Sequence, residues 1–118
     1  MSDPITLANQ LAESLRASEE YRAFVSTRET AYADQTNKAL LDEYKKLQFR
    51  LQACMASGSA PDEDEIQRLR QIASLLQFNK DASDYIMAEF RYQKLLSDIY
   101  KILADTAGID LDTLLSNG

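Results

Sequence analysis

The chain has 118 residues, 45% of them hydrophobic and 27% charged, with a formal net charge of −6. That length supports one buried core, and the composition excludes a disordered polymer. The acidic balance works against direct binding to nucleic acid or an anionic membrane. Three glycines and two prolines are too few for strands joined by tight turns, so an all-α fold is expected.

Asp3 or Ser2 followed by Pro4 reads as a helix start, because proline suits the first turn, where its missing N–H is not needed. Leu7, Leu11 and Leu15 then recur every four residues, which predicts a short amphipathic helix ending near Ala17. Ser18 is placed to cap a second helix, with Glu19 and Glu20 at the positive end of its dipole. Its apolar positions are Tyr21, Phe24, Val25, Ala31 and Tyr32.

Asp34 caps the third predicted helix, whose seam runs Leu40, Tyr44, Leu47, Leu51 and Cys54, widened by Leu41 and Met55. The segment Ser57-Gly58-Ser59-Ala60-Pro61 ends it. Asp62 opens a fourth helix, with Glu65 three residues on as in a capping box. The acidic run Asp62–Glu65 lacks the alternating ligands of a calcium loop and is read as a helix start.

The fourth helix carries Ile66, Leu69, Ile72, Ala73 and Leu76. Asn79 interrupts the pattern and caps a long fifth helix reaching Ala107, where Gly108 reads as a left-handed C-terminal cap contacted by Ile109. Asp110 starts a last short turn with Leu111, Leu114 and Leu115, and residues 116–118 are expected to fray. The expected architecture is one domain over 1–118, an antiparallel bundle of about five helices whose third and fifth are long.

In the fifth helix, Tyr85, Ala88, Tyr92, Leu95, Ile99 and Ile102 form one row, and Ile86, Phe90, Leu96, Tyr100 and Leu103 extend it. Together they cover roughly 240°, far wider than the stripe a surface helix needs. Such a helix is central in its bundle or buries a face against a partner.

Glu89 falls inside this apolar arc, and Arg28 lies inside that of the second helix, so an Arg28–Glu89 pair is expected to hold the two helices in register. Lys45, Lys46 and Arg50 read as a solvated basic face. Phe49 lies nearly opposite the third helix's seam. With Tyr85, Phe90, Tyr92 and Tyr100 it makes a candidate interface.

The chain has no histidine, hence no imidazole base and no His-containing metal site, and its glycines are isolated rather than gathered in a phosphate loop. No catalytic residue, metal or cofactor is therefore expected, and the chain reads as a non-enzyme. Cys54 is the only cysteine, so no intramolecular disulfide can form. No apolar run approaches the ~20 residues of a membrane span, and Met1-Ser2-Asp3-Pro4 does not open a signal peptide. A cytoplasmic protein is the expectation.

Ser18-Glu19-Glu20-Tyr21, the polar helix to Asp34, Tyr44-Lys45-Lys46-Leu47-Gln48, Asn79 opening the last long helix, and Tyr85 followed by Ala88-Glu89 resemble the YlbF/YmcA family of bacterial regulators. The likeness runs roughly from Leu7 to Ile109. It implies a small all-α protein that forms a homo-oligomer or joins related helical subunits, and that regulates competence, sporulation and biofilm formation.

The resemblance further implies that some members act with a third protein that influences messenger RNA processing by ribonuclease Y, some of these complexes carrying iron–sulfur clusters through cysteines. Cys54 alone supplies at most one thiolate per subunit, which does not support a self-contained cluster. The leading expectation is thus a regulatory or adaptor subunit working through helix contacts. A holdase-like or structural oligomer is the alternative, followed by an enzyme using a groove around Glu89.

Overall fold

A computed structural model describes residues 3–108 as five helices and no strand: α1 (Pro4–Ala17), α2 (Glu19–Ala33), α3 (Gln35–Ser57), α4 (Glu63–Gln77) and α5 (Lys80–Ala107). The readings from Ile109 onward, including the last turn and the frayed tail, lie outside the described residues.

Each helix start is set by a side chain that occupies an otherwise unbonded amide. Asp3 accepts from the Thr6 amide at 2.8 Å, Ser18 from Tyr21 at 3.1 Å, Asp34 from Asn37 at 3.0 Å and Asn79 from Ala82 at 3.1 Å. At α4 the expected capping box does not form. Asp62 accepts from the Asp64 amide at 2.8 Å, and the Glu65 carboxylate turns away to meet Arg50 at 2.9 Å.

The C-terminus of α3 closes in a Schellman motif. Ser59 N–H reaches the Cys54 carbonyl at 2.9 Å and Gly58 N–H reaches Met55 at 3.4 Å. This needs a residue at φ 76°, which glycine adopts without steric cost. Gly108 caps α5 in the same region at φ 68°.

α2 lies antiparallel along the first half of α5. Tyr21 meets Tyr92 edge-on at 5.5 Å between ring centroids, and Tyr32 meets Tyr85 edge-on at 5.6 Å. Phe24 stacks on both tyrosines of α5, at 5.9 and 5.2 Å. α4 runs antiparallel to α3, with Arg68 on Glu43 and Arg50 on Glu65.

The core gathers Ala31, Leu41, Leu47, Ile72, Leu76, Ala82 and Tyr85, with Phe24, Tyr32, Leu40, Tyr44, Leu69 and Ile86 packed around it. Leu41, read as flanking the α3 seam, is fully buried, whereas Leu40, Tyr44, Leu51 and Cys54 are only partly so.

This core is confined to the middle of an elongated molecule. The extents are 53 × 36 × 19 Å and the radius of gyration is 17.5 Å, against ~13–14 Å for a compact chain of this length. The accessible surface is 9003 Å², where a compact monomer of this mass exposes about 6,500 Å². α1 contributes no buried residue, and α5 contributes only Ala82, Tyr85 and Ala88, all in its first third.

Candidate functional site

α3 and α5 run parallel but do not pack backbone to backbone; long side chains bridge them. One row on α3, at steps of four residues, is Asn37, Leu41 and Lys45. It faces a row on α5 and its cap that includes Asn79, Tyr85 and Glu89.

The Asn37 and Asn79 amides bond reciprocally, at 2.6 and 3.4 Å. Asn37 is the single buried polar residue among those described, and this exchange satisfies it. Two helical turns on, Lys45 Nζ donates to Glu89 Oε2 at 2.8 Å and to the Tyr85 hydroxyl. The Tyr85 hydroxyl in turn donates to the same Glu89 oxygen at 2.9 Å.

The environment moves two of these groups away from neutrality. Burial pushes the Tyr85 phenol up to about 12, and its hydrogen bond to Glu89 acts the same way against the opposing pull of Lys45. Burial opposes the charge on Lys45, but its bonds to Glu89 and Tyr85 outweigh it, so the ammonium's pKa ends above the usual lysine range. Neither group is poised to exchange a proton near pH 7.

The expected Arg28–Glu89 pair does not form. α2 covers the Tyr85–Ala88–Tyr92 stripe of α5, and Glu89 sits 100° around from Ala88, turned towards α3. Arg28 stays exposed, with its guanidinium 5.1 Å from the Phe24 ring centroid. The carboxylate's partner is Lys45, which sequence reasoning assigned to a solvated face. The available signal was spacing, since Lys45 follows the buried Leu41 by four residues.

Two of the candidate interface residues pack against other parts of the chain. Tyr85 is buried, held by Phe24, Tyr32 and Lys45, and Tyr92 is half-buried against Tyr21 and Phe24. The first third of the wide apolar arc packs inside the chain, with α2 on one side and α4 and side chains of α3 on others. Phe49, Phe90 and Tyr100 are exposed, by 73%, 69% and 54%. Cys54 is partly exposed and lines a small crevice with Leu47, Leu51 and Leu69.

Beyond the Lys45–Glu89 bridge, α3 and α5 enclose an open cleft of about 450 Å³. Gln48, Gln52 and Gln93 line it with the ion pair, and Phe49 and Phe90 stand exposed at its edges. On the other flank of Phe90, the start of α2 and the middle of α5 form a shallower groove of about 840 Å³, lined by Glu19, Glu20, Arg22, Arg91, Lys94 and Asp98 among others. Exposed aromatics and amide side chains thus stand side by side along this stretch of surface. No helix among the described residues is long and apolar enough to cross a membrane.

Comparison with known proteins agrees with this architecture. A UPF0342 protein of Symbiobacterium thermophilum is 33% identical over 104 residues, covering 88% of this chain and 93% of the relative. Another, from Caldicellulosiruptor bescii, is 29% identical over 106 residues, covering 90% and 89%.

Among solved structures, a protein of unknown function (DUF964) from Bacillus stearothermophilus superposes with a TM-score of 0.74 at 23% identity, covering 90% of this chain and 94% of that one. Bacillus subtilis RicA, solved in complex with RicF, matches at TM-score 0.56 and 23% identity, covering 92% of this chain and all of that one. Both likenesses establish the fold. The family model described as control of competence regulator ComK, YlbF/YmcA, matches residues 5–106, and the chain belongs to that family.

Proposed function

We propose that this chain is a non-enzymatic regulatory or adaptor subunit that acts by presenting helix faces to another protein. The observation that carries this reading is the cleft between α3 and α5, where Phe49 and Phe90 are exposed beside a row of glutamines. Two large aromatics held on rigid helices lose little side-chain entropy on docking, which suits them as anchors for a partner helix.

The chemistry of the cleft argues against catalysis. Its one carboxylate already accepts from Lys45 and from the Tyr85 hydroxyl. Tyr85 and Lys45 are both held in their protonated forms across the neutral range. The structural likeness to RicA, a protein solved with a protein partner, supports the same reading. Membership of a family described as control of competence regulator ComK supports a regulatory role.

The test is affinity purification of the tagged chain from its host at native expression, beside a Phe49→Ser/Phe90→Ser variant. A stoichiometric protein partner is expected with the wild type and absent with the variant. Equal recovery in both, or no partner in either, would refute the reading.

A further inference from the structure

We propose that the cleft between α3 and α5 receives an uncharged segment of the partner in extended conformation and reads it through its backbone amides. This rests on the reading above that a protein docks beside Phe49 and Phe90. The two phenylalanines on the rims meet the partner's helix, and what enters between them is an extended stretch of the same partner.

The cleft is a row of stations that each offer a donor and an acceptor at no net charge. Gln48 and Gln52 stand on the α3 wall and Gln93 on the α5 wall, all three exposed. Among the described residues none of their side-chain amides has a hydrogen-bond partner in the chain, and none is buried. The fourth station is the Lys45–Glu89 pair. Glu89 Oε2 accepts from both Lys45 and the Tyr85 hydroxyl, which leaves Oε1 as an acceptor, and the ammonium keeps one N–H beyond those given to Glu89 and Tyr85.

A peptide unit, neutral and carrying one N–H and one C=O, matches such stations. An anionic ligand finds only an ammonium already paired with Glu89, on a chain whose net charge is −6.

Spacing selects the extended form. From the Lys45–Glu89 bridge, Gln48 lies three residues and Gln52 seven residues along α3, and Gln93 lies four along the parallel α5. At 1.5 Å per residue the stations therefore stand at about 0, 4.5, 6 and 10.5 Å, on alternate walls from Glu89 to Gln52. Four consecutive residues of an extended chain stand at about 0, 3.4, 6.8 and 10.2 Å, with their N–H and C=O groups directed to alternate sides. Each residue thus meets one station.

An α-helix has no free backbone groups to offer, and one turn of it, 10–12 Å wide and 5.4 Å high, fills roughly 420–610 Å³. The cleft holds about 450 Å³, too little for the two turns over which helix anchors are spaced.

The test uses the purified full-length chain and an array of acetylated, amidated hexapeptides of mixed sequence. Each backbone amide of the best binder is then N-methylated in turn, with fluorescence polarisation as the readout. Uncharged hexapeptides should bind, with losses of about tenfold on N-methylation confined to four consecutive amides. Gln48→Met and Gln52→Met keep the side-chain length and remove the amide at exposed positions, so the melting temperature should stay that of the wild type. Each should weaken binding about tenfold, and the two variants should cancel the N-methyl penalty at amides two residues apart.

A separation of three or four residues would mean a bound helix and would overturn the proposal. So would a preference for charged peptides, or binding untouched by either glutamine variant. Failure of every hexapeptide to bind below about 1 mM would do the same, whether or not a neutral oligosaccharide such as maltohexaose binds instead. Capture of a partner that depends on Phe49 and Phe90, with no hexapeptide bound, removes this proposal and leaves the reading above standing. Hexapeptide binding without such a partner removes that reading and keeps the specificity assigned to the cleft.

Discussion

Tyr85 carries two functions at once. Its ring stacks on Phe24 and meets Tyr32, while its hydroxyl sits between Lys45 and Glu89. Tyr85→Ala should therefore cost about 3–5 kcal/mol in chemical denaturation, the range for truncating a buried aromatic. Tyr85→Phe keeps the ring and isolates the hydroxyl. In the folded chain its phenol is raised from the ordinary 10.0 to about 12. The resulting stabilisation is fully present below pH 10 and is lost as pH rises towards 12. Lys45, also raised, adds loss in the same alkaline direction. The urea midpoint of the wild type should fall across pH 10–12, with a shallower fall for Tyr85→Phe. Parallel slopes for the two proteins would show that the hydroxyl is not held in this way. Glu89 was legible in the sequence as a charge in an apolar arc that needed a partner. The partner was not, because helix periodicity fixes which face a residue occupies but not which neighbour covers that face.

Helix ends were the most legible elements. Pro4, Ser18, Asp34, Asp62, Asn79, Gly58 and Gly108 all sit at the termini expected of them, because capping is a bargain between residues two to five apart. The departure at Glu65 has a physical reason too, since Arg50 on the neighbouring helix offers its carboxylate a full charge where the capping box offers one amide. Asn79 differs from the other caps by also completing the amide exchange with buried Asn37. Asp62→Ala should cost ~1 kcal/mol, as exposed caps do. Asn79→Ala should cost at least about 2 kcal/mol, because it also strands a buried amide. Near-equal unfolding free energies for the two variants would mean that Asn37 finds another partner. Gly58→Ala meets no neighbour within 4 Å, so its cost of about 1 kcal/mol should be pure backbone strain.

At the scale of the molecule, stability is concentrated where α2, α3, α4 and the first third of α5 converge. Leu41→Ala should cost about 2–5 kcal/mol, whereas Phe49→Ser and Phe90→Ser should each change the unfolding free energy of the isolated chain by less than about 0.5 kcal/mol. Guanidinium titrations of the three variants measure this directly, and a large loss at either phenylalanine would reassign it to the core. The sequence foretold five helices and two long ones, since amphipathic periodicity and caps are local. It did not foretell the uneven distribution of burial along α5. The apolar arc looks uniform from Tyr85 to Leu103, yet only its first third is enclosed, because antiparallel α2 starts at Ser18, level with Tyr92, and does not reach further along α5.

That turn sets how α1 is presented. The Ser18 hydroxyl donates to the Leu15 carbonyl at 2.6 Å while accepting from the Tyr21 amide, and the Ser18 N–H reaches Leu15 at 3.1 Å. A single residue thus welds two helices at a set angle using bonds that span no more than three positions. The direction in which α1 leaves α2 is therefore set locally, without help from the core. Loosening the joint, as Ser18→Gly would, should free α1 to swivel while leaving the core around Leu41 intact.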